Sequence, residues 1–150
     1  SGDLRAEFQL PATSSRFDLA YRGRLGPIQA TAFNDFLEGA TVARFEKGEV
    51  SSIDFNVNIR NGVASGTVAP VYQDLDIKLP GVARTGILGG IRRALAQVAA
   101  EQFFLRTDNA PGVTETVKVG AVSHRQTASE TLIQTIWYSL RTGLVDGVKP

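Results

Sequence analysis

Apolar and polar residues alternate strictly at the start of the chain, where Leu4, Ala6, Phe8 and Leu10 are separated by Arg5, Glu7 and Gln9. A period of two places the apolar set on one face of a half-buried strand, because successive side chains of an extended chain point to opposite faces. Pro11 stops the pattern. It resumes beyond Ser14-Ser15, with Phe17, Leu19 and Tyr21 against Arg16, Asp18 and Arg22, so the two segments are expected to pair as a hairpin. Gly23 and Gly26-Pro27 are expected to break the sheet. Ala32, Phe33, Phe36 and Leu37 then fall at helical spacing and predict a short helix or compact loop between Ile28 and Leu37.

Two further strands are expected over Thr41 to Glu46 and Val50 to Ile59, with Lys47-Gly48-Glu49 between them. In the second, Ile53, Phe55, Val57 and Ile59 face one way and Asp54, Asn56, Asn58 and Arg60 the other. Asn61-Gly62 follows at once. A type I′ turn needs positive φ at both central residues, and this dipeptide supplies them at least strain. The return strand begins at Val63, runs to Tyr72 and continues through Leu75, Ile77 and Leu79, with Pro70 marking a bend, bulge or edge position.

After Gly81 the period changes. Ile87, Leu88, Ile91, Leu95 and Val98 recur at helical spacing and predict an amphipathic helix of about five turns. Thr114 to Val122 alternates as one more strand. Thr127-Ala128-Ser129-Glu130 has capping-box form for a second helix from Ser129 to about Val148, with an apolar stripe of Leu132, Ile133, Ile136, Trp137, Leu140 and Leu144. Trp137 is expected to be mostly buried, with that helix acting as a cover for the sheet. The fold class expected is α+β: a twisted or groove-like antiparallel β-sheet built from hairpins, with two amphipathic helices in the C-terminal half.

Composition narrows the class. At 150 residues and 43% hydrophobic, the chain can bury one core, so residues 1–150 are expected to form a single domain. Lys and Arg total 16 against 15 acidic residues, and a net charge of +1 gives no footprint for a phosphate backbone; nucleic acid is not an expected partner. With no cysteine there are no disulfides, thiolate ligands or thiol nucleophile. No apolar run reaches the roughly 18 to 20 residues that span a bilayer. Met is absent even at position 1, so the chain is expected to be a fragment, with any signal or anchor of the parent protein outside it.

Candidate chemistry is sparse. His124 is the only histidine, which excludes a histidine-cluster metal site, and no Gly-x-Ser-x-Gly elbow accompanies it. A solvated histidine at a strand end is the simpler reading. Asp74 and Asp76 share a strand face, but Lys78 continues it and no further acidic cluster approaches, so a solvated charged face is expected in place of a cation site. Gly86-Ile87-Leu88-Gly89-Gly90 lacks the Lys-Ser/Thr of a P-loop and reads as a flexible helix start. No catalytic residue, metal ligand or cofactor is assigned, and the chain is expected not to be an enzyme. What remains is apolar surface, which either the helices or a ligand must cover.

An ordered succession of short motifs carries a resemblance. Leu25-Gly26-Pro27-Ile28-Gln29-Ala30 leading to Asn34 precedes Phe45-Glu46-Lys47-Gly48 and the strand Ile53-Asp54-Phe55. Gly66-Thr67-Val68, Tyr72, Asp74-Leu75, Ile77 and Leu79 follow, then Leu105-Arg106-Thr107-Asp108-Asn109 and a terminal Trp137-Tyr138-Ser139-Leu140-Arg141-Thr142-Gly143. From about Phe17 onward this series resembles the C-terminal region of AsmA-like bacterial envelope proteins. The chain departs from that pattern where Leu132-Ile133 replace the usual Phe-Phe, and in lacking the family's N-terminal transmembrane anchor.

The resemblance implies a parent protein anchored in the inner membrane and extending through the periplasm as a long β-groove, whose apolar interior carries lipids toward the outer membrane without catalysis. On that reading Phe8, Leu10, Phe17, Leu19, Phe55, Val57 and Ile59 line the groove or one end of it. The expected ligand is a phospholipid or other acyl-chain lipid, with an envelope protein as a further partner and membrane association through parts of the parent outside this chain. The alternative is a structural or self-associating module whose exposed sheet edges pair with neighbours and which holds no lipid.

Overall fold

The Asn61-Gly62 signal organises the centre of the molecule. In the computed structural model, which describes residues 2–11, 18–34, 44–78 and 106–148, Asn61 (φ 51°) and Gly62 (φ 74°) form the turn between two long strands, β4 (Arg44–Arg60) and β5 (Val63–Lys78). The turn is tied down from outside, because the Asn61 amide donates to Asp18 Oδ1 at 2.8 Å.

Around this hairpin the other strands add antiparallel: β1 (Leu4–Gln9), β2 (Leu19–Leu25) and β6 (Gly120–Arg125) give the order β1-β2-β4-β5-β6, with the two-residue β3 (Ile28–Gln29) also paired to β4. The register aligns the apolar sets: Phe8 opposes Tyr21, Tyr21 opposes Val57, Leu19 opposes Ile59, and Gly66 opposes both Val57 and Val122. One face is therefore apolar across every strand. The other carries Arg22, Arg24, Asp54, Asn56, Asn58 and Thr67.

Several expected breaks are not breaks. Gly23 lies inside β2, where a Cβ would stand 2.5 Å from the Phe55 ring and 2.3 Å from the Arg5 carbonyl; glycine here admits a crossing ring and does not end a strand. Gly48 does not separate two strands, since β4 runs through it with register shifts between Phe45 and Ser52, and a Cβ at its φ of 139° would meet Leu75 at 2.8 Å. The short helix expected near Ile28 is β3 followed by one 3₁₀ turn, Ala30–Phe33. The last strand begins at Gly120 and not at Thr114.

The expectation of two amphipathic helices is corrected: among the described residues there is one α-helix, α1 (Leu132–Val148), and the segment read as a helix over Ile87 to Val98 lies outside them. The sheet is the body of the molecule. α1 starts three residues later than expected because Thr131, not Thr127, caps it. Gln134 N donates to Thr131 Oγ1 at 3.3 Å and Thr131 N to Gln134 Oε1 at 2.8 Å, a complete capping box.

The face that α1 buries also differs from the aliphatic stripe. Thr135, Ser139, Gly143 and Gly147, at steps of four, are the buried positions, while Ile133 is 74% exposed and Trp137 only half-buried. Small side chains let the helix backbone come down onto β5 and β6: a Cβ on Gly143 would meet Val68 Cγ2 at 2.5 Å, and one on Gly120 would meet the Gly143 carbonyl at 1.9 Å. Ile136, Leu140, Leu144 and Val148 then pack beside this stripe against a core of Leu19, Tyr21, Val57, Ile59, Val68, Tyr72 and Val122.

Candidate functional site

The apolar face carries the candidate site, and it is covered unevenly. Under α1, at the β5–β6 end, Val57, Ile59, Ala64, Val68 and Val122 are buried. Tyr21, on β2, donates its hydroxyl to the Ile136 carbonyl at 3.1 Å, which fixes the helix flank over the middle of the sheet. Burial pushes the Tyr21 phenol up to about 12, partly opposed by a hydrogen bond with Ser139. Beyond Tyr21 the face continues without a break onto β1: the Phe8 ring stacks on Tyr21 at 5.9 Å, and Tyr21 in turn lies 6.2 Å from Phe55. There the cover ends, for Leu4, Phe8 and Leu10 are 64%, 52% and 66% exposed.

The residues expected to line a groove therefore divide. Leu19, Val57 and Ile59 are core, closed to any ligand; Phe55 is half-buried; Phe8 and Leu10 are open; Phe17 lies outside the described residues. Leu4 belongs to the open set and is legible as the first member of the β1 alternation. Tyr21, the ring between the closed and open parts, follows Leu19 in the same alternation.

The opposite face is polar and wet. Arg22 donates to Glu7 at 2.8 Å and Arg24 pairs with Asp54 at 3.3 Å, all of them largely exposed, so these pairs contribute little to stability. Asp74 pairs with Lys47 at 2.7 Å on a solvated surface. Among the described residues no group of His, Asp or Glu has the arrangement to hold a metal ion.

His124 is half-buried and partnered. On β6, it donates from Nε2 to Glu130 Oε2 at 2.8 Å and stands edge-on to the Tyr138 ring at 5.6 Å. The Glu130 carboxylate also accepts from Thr127 N and Thr135 Oγ1, and the His124 hydrogen bond holds it below the usual carboxylate range. Through that carboxylate His124 and Thr135 tie β6 to the start of α1. No nucleophile stands beside the ring among its described partners, so the geometry is that of a strut.

Asn109, which the sequence placed in a motif without a role, is a second strut. Fully buried, its Nδ2 donates to Pro70 O at 2.6 Å and Lys118 O at 2.9 Å, its Oδ1 accepts from Lys118 N at 2.7 Å, and its backbone exchanges two bonds with Tyr72. Asp108 Oδ1 accepts from Asp74 N, and Thr107 O from Leu75 N. Residues 106–109 thus extend the sheet alongside β5 where β6 stops, and two of the motifs named above interlock through these bonds.

No family model, curated protein or solved structure matches this chain.

Proposed function

We propose that the chain is a non-catalytic envelope module that offers the uncovered part of its apolar sheet face to the acyl chain of a phospholipid or similar lipid, as one piece of a periplasmic groove in an inner-membrane-anchored parent. The observation that supports this is the continuity of the face. Phe8, Tyr21 and Phe55 form one aromatic row that begins in the core and ends with Phe8 half in solvent, flanked by Leu4 and Leu10. Exposed apolar residues scattered singly need no explanation, whereas Leu4 and Phe8 share one face of β1, Leu10 follows its end, and the face joins the core. An acyl chain laid along β1 would contact all three and the Phe8–Tyr21 stack without any change in the helix.

The test is native mass spectrometry and lipid extraction of the purified chain, repeated after incubation with phosphatidylethanolamine and phosphatidylglycerol vesicles. Bound lipid is expected, and it should be lost in Phe8→Glu with the melting temperature retained. A chain that takes up no lipid, or a Phe8→Glu variant that takes up as much as the parent, would overturn the proposal.

A further inference from the structure

The two edges of the sheet are finished differently. At β6 the outward amides of Ala121 and Ser123 donate to Asp146 Oδ2 at 2.8 Å and to Thr142 Oγ1 at 3.1 Å, so side chains of α1 occupy that edge. At β1 no described residue pairs with the outer edge. Its hydrogen-bonding parity follows from one bond: Gly26 N donates to Asp3 O at 2.8 Å, in the same register that sets Leu4 against Leu25 and Glu7 against Arg22. In an antiparallel ladder alternate residues bond to the partner strand, so Arg5, Glu7 and Gln9 bond inward, and the N–H and C=O groups of Leu4, Ala6 and Phe8 point out. β1 has no proline, lysine or bulge, and the charges it carries are one of each sign, Arg5 and Glu7.

Charge then selects the occupant. Arg24 pairs with Asp54 and Arg22 with Glu7, but Arg5 lies directly across the ladder from Arg24 and makes no ion pair with any described residue. We propose that β1 docks β1 of a second copy of this chain, antiparallel, about a twofold axis through Ala6. In this register Ala6 opposes the partner's Ala6 and Leu4 opposes the partner's Phe8, all through outward-facing backbone groups. Arg5 meets the partner's Glu7, and Glu7 the partner's Arg5. A slip of two residues one way opposes Glu7 to the partner's Glu7; a slip the other way opposes Arg5 to the partner's Arg5. Of these three registers only the central one pairs opposite charges, and like charges directly opposite are destabilising. Because even-numbered residues meet even-numbered ones, the two apolar faces fall on the same side of one continuous sheet. About six backbone hydrogen bonds form across the axis, two per outward-facing pair. Such an interface is smaller than a standard one, so the dimer belongs to the transient class. This pairing does not require lipid.

Sedimentation velocity of the 150-residue chain, over roughly 5 to 500 µM, reads the equilibrium directly by mass action. A monomer–dimer equilibrium is expected. Ala6→Pro removes a donor that points away from β2, so the intramolecular ladder is kept while the axis is blocked; the dissociation constant should rise at least about tenfold. Arg5→Glu should weaken the dimer comparably, by setting carboxylates opposite one another. The charge swap Arg5→Glu with Glu7→Arg should restore it, because the swapped pair is again complementary only in this register. A chain monomeric throughout the range, a dimer indifferent to Ala6→Pro, or a charge swap that fails to rescue would each overturn the proposal.

Discussion

Gly120→Ala puts the tightest helix–sheet approach in the molecule under test. Gly120 opens β6 directly beneath α1, and a Cβ there would stand 1.9 Å from the Gly143 carbonyl oxygen and 2.5 Å from the Gly147 amide. Both neighbours are helix backbone, so no rotamer change can make room. To reach even 3.0 Å, α1 must lift by about 1 Å or tilt, and a gap of that size forfeits about a quarter to a half of the dispersion energy across it. The same movement stretches the bonds from Ala121 N to Asp146 and from Ser123 N to Thr142. Overpacking of this kind costs about 1–3 kcal/mol, and each of the two hydrogen bonds lost adds about 1 kcal/mol, so a destabilisation of about 3–5 kcal/mol is expected.

The sign is informative because local propensity points the other way: in a strand interior, alanine is better than glycine by about 0.5–1 kcal/mol. Urea denaturation followed by far-ultraviolet circular dichroism and by Trp137 fluorescence measures the change. For a chain of this length the melting temperature should fall by roughly 6–20 °C, at about 2–4 °C per kcal/mol. A variant within about 1 kcal/mol of the parent would refute the close approach as the reason for glycine here.

Asn109→Ala removes three side-chain hydrogen bonds, to Pro70 O, Lys118 O and Lys118 N, at about 1 kcal/mol each, so a loss of about 3 kcal/mol is expected, with faster amide exchange at Lys118. An unchanged exchange rate there would count against the strut. Gly62→Val should destabilise by about 1 kcal/mol or more, since the native φ of 74° is strained for a β-branched residue; an unchanged melting temperature would contradict the turn. Burial raises the phenols of Tyr21 and Tyr72 to about 12 from an ordinary value near 10. A folded value above the unfolded one gives stability that is fully present below about pH 10 and lost as pH rises through 12, so unfolding should become easier over that window. Tyr21→Phe should flatten this dependence, and a variant as steep as the parent between pH 10 and 12 would oppose the assignment.

Strands were legible wherever alternation had a purely local cause. Ile53 to Ile59 reads correctly because one wet face and one dry face impose a period of two, and Leu4 to Gln9 keeps the same alternation although all of β1 is exposed. Glycine was the consistent source of error. Gly23 and Gly48 signal turns in isolation, yet here each makes space for a side chain from elsewhere, Phe55 or Leu75, which no local window contains. The helix failed in the same way. Leu132, Ile133, Ile136 and Trp137 form the larger apolar stripe, but the sheet approached most closely at Thr135, Ser139, Gly143 and Gly147, a spacing of small residues visible in the sequence. The tandem Thr127-Glu130 and Thr131-Gln134 boxes compete for the helix start. In the first, Glu130 accepts from Thr127 but also from His124 and Thr135, and the helix starts after the second.

Covered and uncovered parts of the sheet differ in how their residues are chosen. Where the face is closed, edges are closed too: Asp146 and Thr142 hold the β6 amides, residues 106–109 continue the edge of β5, and Pro70 falls where β6 pairing has stopped. At β1 no described residue closes the face or the edge, and the same even-numbered residues supply both the exposed apolar side chains and the outward backbone groups. Burial fixes a residue's character only if something covers it, so a regular alternation kept on an uncovered strand points to a surface that is covered in use. Acyl chain and second copy draw on different atoms of that strand, side chains for the one and backbone for the other, and so need not compete. Two sheets joined at Ala6 would set Leu4 and Phe8 of each copy along one uninterrupted apolar strip. A lipid lying across the axis would touch both copies, and by linkage it would tighten the dimer by the same factor that the dimer tightens lipid.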